Sequence, residues 1–277
     1  MSDELHNGGT TAGRKKLISL RGVSKNFRKN GKEITVVNNC NLDIAENEFL
    51  VIVGPTGSGK STFLKMIAGF EAPTTGEIRL GGEIIKGPGA DRGMIFQEYA
   101  LLPWRNVLKN VELGLEFKGG KSEARNRELA MKYIDMVGLS SAVNKHPVEL
   151  SGGMKRRASL AMILVTKPKI LLMDGPFNAL DSKTKMTLHE EITRIWKHER
   201  NTIIFVTSDL DEAVKLSDRI AVMNRAGQIS NIFHNDLPRP RTGKAALETD
   251  FHNRFVKLRE EVLNEVKAGA GKAVCEY

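Results

Sequence analysis

A short glycine-rich segment placed directly after an apolar run constrains this chain more than any other feature. Phe49 to Val53 is apolar throughout, and residues 54–61 follow with the sequence Gly-Pro-Thr-Gly-Ser-Gly-Lys-Ser. The glycines allow the positive φ angles that turn backbone N–H groups inward, while the lysine and serine suit phosphate oxygens and a magnesium ion. A helix that starts near Ser61 adds its positive end. The strand-then-helix context argues against a chance glycine-rich turn. The sequence therefore predicts a nucleotide-phosphate loop, whose candidate residues are Gly54, Pro55, Thr56, Gly57, Ser58, Gly59, Lys60, Ser61 and Thr62.

Composition narrows the class of protein. A chain of 277 residues can form one large domain, or one domain with a subdomain. It contains no apolar stretch long enough to cross a membrane, and its first residues lack a signal-peptide pattern, so we expect it to stay in the cytoplasm. The net charge of +9 suits an anionic ligand or a membrane face, but aromatic residues make up only 6% and basic residues are dispersed. That pattern gives little support for nucleic-acid binding.

Hydrophobic patterning predicts an α/β fold with an inserted helical block. Residues 1–15 form a polar arm, and short apolar segments from Lys16 onward predict an antiparallel β-layer. Residues 29–32 predict a turn within this layer, and a helix from Ser61 is closed by Gly69. Helical periodicity dominates about residues 99–166, with helices predicted over residues 106–117, over residues 122–137 with Gly138 as the stop, and from Ser151. The alternating strands and helices of a parallel sheet return after it, with strands at Ile170–Met173, Thr202–Val206 and Arg219–Met223. The main domain is predicted over residues 16–230. A tail follows over residues 231–277, and within it a helix is predicted over residues 251–267. Cys40 and Cys275 are far apart in sequence and predict neither a disulfide framework nor a zinc site.

A second set of motifs appears downstream of the phosphate loop. Leu150-Ser151-Gly152-Gly153 stands where a helix should begin, and Ser151 in that position is also consistent with ordinary helix capping. Gln97 ends one predicted strand, and Asp174 ends another. The order of these motifs, over nearly the whole span from Lys16 to Gln228, resembles the ATP-binding cassette (ABC) ATPases. The resemblance implies a P-loop NTPase core with a parallel sheet, an N-terminal antiparallel β-layer and an inserted helical subdomain.

The resemblance assigns roles to individual residues. It makes residues 54–61 the Walker A motif, Phe27 the aromatic that stacks on adenine, and Gln97 the glutamine of the Q-loop. It implies ATP and Mg²⁺ as cofactors, with the metal held by Ser61, Gln97 and Asp174. In such cassettes two subunits share each nucleotide, so Ser151, Gly152 and Gly153 would contact the ATP of a second cassette subunit, identical or different.

Shorter motifs resemble one subgroup, the importers of nitrate, sulfonate, taurine and related small anions. These motifs are residues 87–93, Leu102-Pro103-Trp104, and Met154 at the end of the signature. The resemblance implies transmembrane permease subunits as partners, a solute-binding protein as an indirect partner, and a peripheral position on the cytoplasmic face of the cell membrane. Ala100 to Trp104 lies where the permease would dock, although the sequence is equally consistent with burial of these residues.

Two catalytic positions depart from the family pattern. Gly175 replaces the glutamate that follows the Walker B aspartate, and Ser208 replaces the histidine that contacts the terminal phosphate. Loss of a general base costs about 10² to 10⁴ in rate. Glu98 and Asp209 lie one residue from the Q-loop glutamine and from Ser208, and either could enter the site, but at a strand end an offset of one residue reverses the direction of the side chain. We therefore hypothesise that the chain binds Mg-ATP but hydrolyses it weakly or not at all.

Three functions remain open from the sequence. The first is the ATP-binding subunit of a small-anion importer. The second is a regulatory or structural cassette that closes on ATP without hydrolysing it. The third is a nucleic-acid-linked cassette, but the long coiled-coil insertions, zinc sites or paired cassettes typical of that class are not visible in this sequence.

Overall fold

The computed structural model describes residues 13–119, 122–178, 180–241 and 248–271. Its strands are β1 (Lys16–Lys29), β2 (Lys32–Ala45), β3 (Phe49–Val53), β4 (Thr75–Leu80), β5 (Glu83–Ile84), β6 (Arg92–Ile95), β7 (Ile170–Asp174), β8 (Thr202–Val206), β9 (Arg219–Met223) and β10 (Ile229–His234). Its helices are α1 (Lys60–Ala68), α2 (Val107–Phe117), α3 (Glu123–Met136), α4 (Gly152–Leu164), α5 (Ser182–Glu199), α6 (Leu210–Leu216) and α7 (Thr249–Gly271), with 3₁₀ turns at Ser140–Ala142 and Pro147–Glu149. The chain divides into two compact units, residues 1–88 with 202–277, and residues 89–201.

The first unit contains the predicted antiparallel β-layer. β1 pairs with β2 on one side and with β4 on the other, and β5 extends β4. The predicted turn is confirmed at Asn30 and Gly31, both of which have positive φ. β1 and β2 each run for 14 residues, longer than the apolar segments indicated, because β-bulges let the pairing continue through polar residues.

A largely parallel sheet forms the core of the first unit. β3 lies between β8 and β9 and runs parallel to both, while β10 pairs antiparallel with β9. Every residue of β3 and β8 is buried, which explains their continuous apolar sequence. Where β3 begins, the buried Glu48 carboxylate accepts from the Arg219 guanidinium at 2.7 Å. The strands predicted at Phe49–Val53, Thr202–Val206 and Arg219–Met223 are confirmed.

The second unit combines a parallel strand pair with helices. β6 pairs parallel with β7, and α2 packs against α3 and α4. The predicted cap at Ser151 is confirmed, since its side chain accepts a backbone N–H group at the start of α4. Asn106, predicted as the first residue of its helix, caps the start of α2 in the same way. Gly138 adopts positive φ after α3, as its predicted stop role requires. The helices predicted over residues 106–117, 122–137 and from Ser151 therefore form as expected.

The tail is held to the first unit by two buried arginines. Arg241 donates to the carbonyls of Val214 and Ser217 at the end of α6, and Arg239 pairs with Asp218 at 3.1 Å. Burial, followed by the neighbouring Arg239 charge, lowers the pKa of Arg241 to about 9. Helix α7 then packs against α6 and β9. The tail helix predicted over residues 251–267 is confirmed and is slightly longer than expected.

Several sequence predictions fall on residues that the structure does not describe. They are residues 1–12 of the arm, parts of the tail and Cys275. The domain limits at residues 15, 99–166 and 230 remain predictions, and β10 extends across the last of these. Within the described ranges, no helix combines the length and the apolar character that a membrane crossing requires.

Candidate nucleotide-binding residues

In the first unit, the predicted phosphate loop connects β3 to α1. Gly54, Gly57 and Gly59 have φ angles of 154°, 83° and 92°, so each occupies the region that favours glycine. Helix α1 begins at Lys60, and no side chain of the described residues caps its start. The strand, the glycine-rich turn and the helix therefore occur in the predicted order, with the positive end of α1 at the loop.

Two of the glycines are required by packing as well as by conformation. A Cβ on Gly54 would lie 2.1 Å from the carbonyl oxygen of Met223, and one on Gly59 would lie 2.3 Å from that of Val36. Both neighbours are backbone atoms and cannot move aside as a flexible side chain would. Gly57 has no atom within 4 Å of its Cβ position, so its requirement is conformational alone. Any side chain at Gly54 or Gly59 would therefore displace the backbone that holds the loop in place.

Lys60 folds back over its own loop. Its Nζ donates to the carbonyls of Gly54 at 2.9 Å and Pro55 at 2.8 Å, and to the hydroxyl of Ser58 at 3.2 Å. The ammonium group is therefore placed above the loop by neutral acceptors. Phosphate oxygens would be stronger acceptors than these groups because they are charged.

The segment after β8 shows how Ser208 and Asp209 are used. β8 runs parallel beside β3, so Ser208 follows its strand at the same edge as the phosphate loop. Ser208 is exposed. The Asp209 carboxylate accepts from the backbone N–H groups of Asp211 and Glu212 and caps α6. Asp209 is therefore committed to a structural role, which argues against its substitution for the missing histidine.

Phe27 lies on the hairpin that touches the loop. Its ring is 38% exposed, and the Lys25 ammonium lies 5.0 Å from the ring centroid. Phe27 pairs with Ile34 on β2, two residues from the Val36 carbonyl that approaches Gly59. The hairpin thus presents a partly exposed aromatic face close in sequence to its contact with the loop. The contribution of Val36 was not predicted, because it is made by a backbone carbonyl and leaves no mark on residue type.

In the second unit, Gln97 and Asp174 lie at the same end of a parallel strand pair. Ile95 of β6 is opposite Met173 of β7, so Gln97 follows one strand where Asp174 ends the other. Asp174 is half-buried, whereas Gln97 and Glu98 are exposed. An amide oxygen and a carboxylate at one strand edge are both suitable ligands for Mg²⁺.

Gly175 occupies a conformation that a glutamate would adopt only with strain. It is buried, its φ is 53°, and its carbonyl accepts from the N–H of Asn178 at 3.3 Å. A Cβ at this position would lie 2.6 Å from Nδ2 of Asn178, whose flexible side chain could move. Position 175 therefore carries no carboxylate, and the backbone turns sharply there.

The signature residues form the first turn of α4. The Ser151 hydroxyl accepts from the N–H of Met154 at 3.3 Å, so its capping role is observed. A Cβ on Gly153 would lie 2.8 Å from the Thr184 methyl group. Gly152 faces the Tyr99 hydroxyl, which would lie 3.1 Å from its Cβ. The two glycines therefore leave room for the Thr184 and Tyr99 side chains beside this turn, and the helix start supplies the backbone N–H groups that an anion could accept.

The loop after the Q-loop glutamine holds Trp104 in an exposed position. The indole is 72% exposed, which excludes the alternative of a buried Trp104 within this unit. Asn110 is fully buried, and its amide joins the backbone of Leu102, Arg105 and Asn106. The role of Asn110 was not predicted, although a buried asparagine on an apolar helix face is a detectable signal.

Comparisons with known proteins indicate the family of this chain. The family described as ABC transporter matches residues 37–178. An uncharacterized ABC transporter ATP-binding protein of Methanocaldococcus jannaschii is 45% identical over 90% of this chain and 94% of that protein. A nitrate import ATP-binding protein of Synechocystis is 43% identical over 84% of this chain and 90% of that protein. A dimeric ATP-binding cassette solved in a post-hydrolysis state with ADP and Pi is 32% identical, with a TM-score of 0.71 over 79% of this chain and 98% of that one.

Proposed function

This chain belongs to the ABC transporter family, and we propose that it is the ATP-binding subunit of an importer for a small anion. The observation that carries the proposal is the glycine-fitted loop between β3 and α1, with the Lys60 ammonium placed above it. Similarity to a nitrate import protein over most of both lengths supports the solute class. The subunit would act at the cytoplasmic face of the membrane, attached to permease subunits.

ATP and Mg²⁺ are the cofactors of this family, and the chain has the donors that they require. The N–H groups of residues 54–62 and the Lys60 ammonium would bind the phosphates, and Phe27 would stack on the adenine ring. The Ser61 hydroxyl of the first unit, and the Gln97 amide oxygen and Asp174 carboxylate of the second, are each hard oxygen donors of the kind that Mg²⁺ prefers. When bound, the metal neutralises negative charge on the phosphates. Lys60 would exchange its present carbonyl acceptors for phosphate oxygens.

We infer that hydrolysis at this chain's own phosphate loop is weak or absent. Gly175 offers no carboxylate to orient or deprotonate a water, and Ser208 is short and uncharged. Asp209 already caps α6, which removes one substitute base. The residues that would bind ATP are present, whereas two positions that would catalyse its hydrolysis are altered. We therefore expect the chain to close on ATP without cleaving it efficiently.

A second cassette would complete the nucleotide site. Ser151 and the N–H groups of Gly152 and Gly153 would contact the ATP of the partner subunit, using the positive start of α4. The dimeric form of the solved cassette supports such a pairing. In a mixed dimer, this chain could activate a competent partner through its signature residues. In a homodimer, both sites would carry the same altered positions.

The permease would dock at the loop that carries Trp104. Its large exposed apolar surface is of the kind that forms the centre of a protein interface. The buried amide of Asn110 fixes the loop backbone on both sides of Trp104, which preorganises it for binding.

Trp104→Ala should therefore abolish co-purification of the subunit with its permease subunits when they are expressed together. Loss of a central aromatic contact costs about 2 kcal/mol or more, which is about 30-fold in affinity. Ile84→Ala is the control, because Ile84 is an exposed apolar residue on β5 in the other unit. Equal recovery of permease subunits with both variants would contradict the docking site. Failure of the unmodified chain to recover any permease subunit would contradict the importer function itself.

The second candidate is a regulatory cassette that closes on ATP as a switch without turnover. The altered positions Gly175 and Ser208 favour it, since a switch needs binding but no cleavage. Transport measurements distinguish the two functions. Deletion of an importer subunit abolishes solute uptake, whereas deletion of a regulator changes only its control.

A further inference from the structure

Arg156, on the second turn of α4, holds the backbone of the Q-loop. Its side chain is buried, with 3% of the residue exposed. Nη1 donates to the carbonyl of Phe96 and Nη2 to the carbonyl of Gln97, both at 2.7 Å. A guanidinium presents its donors in a rigid fork, so two short bonds to successive carbonyls fix both the position and the orientation of that backbone.

Tyr99 adds a third point of attachment between the same two segments. The guanidinium carbon of Arg156 lies 4.8 Å from the Tyr99 ring centroid, within the range of a cation–π contact. The Tyr99 hydroxyl lies against Gly152, in the first turn of α4. Phe96, Gln97 and Tyr99 are therefore joined to the helix whose start carries Ser151.

Arg156 is buried with neutral backbone carbonyls as its hydrogen-bond partners, as Arg241 is in the tail. Its neighbour Arg157 pairs with the Glu191 carboxylate at 2.9 Å. Among the described residues, no carboxylate forms an ion pair with Arg156, and burial lowers its pKa from the ordinary value. A buried cation without a counter-charge costs stability, and its compensation here is two backbone carbonyls and one aromatic ring. Such a cost is consistent with a role in placing the Q-loop.

We propose that Arg156 is a positioning residue. It would hold Gln97 where the amide oxygen can contact Mg²⁺, and it would link that position to the first turn of α4, which carries the signature residues. The inference rests on the proposed function, in which Gln97 contacts the metal and Ser151 to Gly153 contact the partner's ATP. Groups that orient a metal ligand typically contribute about 10- to 100-fold to metal affinity. Movement of the Q-loop would then be transmitted to the start of α4 through the same guanidinium.

The test measures ATP affinity with Mg²⁺ and with EDTA, together with hydrogen exchange of the backbone amides from residue 97 to residue 102 without nucleotide. In Arg156→Gln, we expect faster exchange in this segment and a loss of about tenfold or more in the affinity gained from Mg²⁺. ATP affinity in EDTA should stay unchanged, because the phosphate loop is untouched. Arg156→Lys, which cannot form the fork, should recover only part of the loss.

Arg157→Gln is the matched control, since it makes the same change at the next position of the helix and removes an ion pair. In this variant, the increase in ATP affinity caused by Mg²⁺ and the hydrogen exchange of residues 97–102 should both equal those of the unmodified chain. Tyr99→Ala removes the exposed ring and keeps Arg156, and it should shift both measurements in the same direction by a smaller amount. This variant supplies the test if Arg156→Gln does not fold.

Two results would overturn the proposal. One is an unchanged Mg²⁺ gain with unchanged exchange in Arg156→Gln, or in Tyr99→Ala if that variant stands in for it. The other is an equal loss in Arg157→Gln, which would indicate general destabilisation. Failure of the proposed function has a different signature, since the unmodified chain would then bind no ATP while exchange in residues 97–102 still rose in Arg156→Gln. That pattern would show that Arg156 stabilises the loop backbone, and it would overturn the proposal that Arg156 positions Gln97 for Mg²⁺.

Discussion

Gly175→Glu combined with Ser208→His raises the single-turnover rate of ATP hydrolysis by about 10²-fold or more above that of the unmodified chain. The carboxylate would follow Asp174 at the end of β7 and supply the base that Gly175 lacks. The imidazole would follow β8 at the edge that carries the phosphate loop. The rate is measured with enzyme in excess over ATP, so that product release does not limit it. Each single change should give less, because residues that act as one catalytic unit are not additive.

The backbone at position 175 supplies the control for this gain. Its φ of 53° makes any side chain there cost about 1–2 kcal/mol of stability. Gly175→Gln combined with Ser208→His carries the same strain and a side chain of similar size, but no base. We expect this variant to melt at the same temperature as the glutamate variant while hydrolysis stays near background. A comparable rate increase in both variants would show that a base at position 175 is not the missing element.

Lys60→Ala lowers the affinity for Mg-ATP by about 10²-fold, because the ammonium makes charge-assisted bonds worth about 1.5–3 kcal/mol each. The effect is measured by calorimetry or by displacement of a fluorescent nucleotide. Loss of the present bonds to Gly54, Pro55 and Ser58 should change stability much less, since these acceptors are neutral and close to solvent.

Lys65→Ala is the control for Lys60, because Lys65 is an exposed lysine in the last turn of the same helix. It removes the same charge from the far end of α1 and should leave nucleotide affinity within about twofold, since an exposed charge at that distance is largely screened. Equal losses in the two variants would indicate that net charge, and not the placement of Lys60, governs binding.

Local sequence rules predicted much of the fold, since its main elements carry strong local signals. The buried strand at Phe49–Val53, the glycines that follow it and the helix closed by Gly69 are specified within about twenty residues. The cap at Ser151 and the stop at Gly138 depend on single residue types, which a sequence shows directly. These predictions are confirmed.

Three short strands were missed because their pairing partners, and not their own residues, make them strands. β4, β5 and β10 contain glycine, glutamate, asparagine and histidine, and much of their surface is exposed. The short strand β5 has no apolar alternation to detect. Each is held by hydrogen bonds to a neighbour that is distant in sequence or separated by a turn, and periodicity carries no information about such bonds.

Contacts to backbone atoms account for what sequence analysis missed in the candidate site. The Val36 carbonyl against Gly59 and the Phe96 and Gln97 carbonyls on Arg156 leave no pattern in residue type. The role of Asp209 could not be predicted either, because a carboxylate beside Ser208 could cap a helix or face a ligand. Only the geometry of α6 shows that it caps.

Binding and cleavage of ATP measured side by side on the purified, unmodified chain test the account as a whole. We predict saturable Mg-ATP binding that Lys60→Ala weakens by about 10²-fold, together with single-turnover hydrolysis indistinguishable from background. Hydrolysis at about 1 s⁻¹ or faster, the range of ordinary enzymes, would contradict the conclusion that Gly175 and Ser208 leave this subunit able to close on ATP but not to split it.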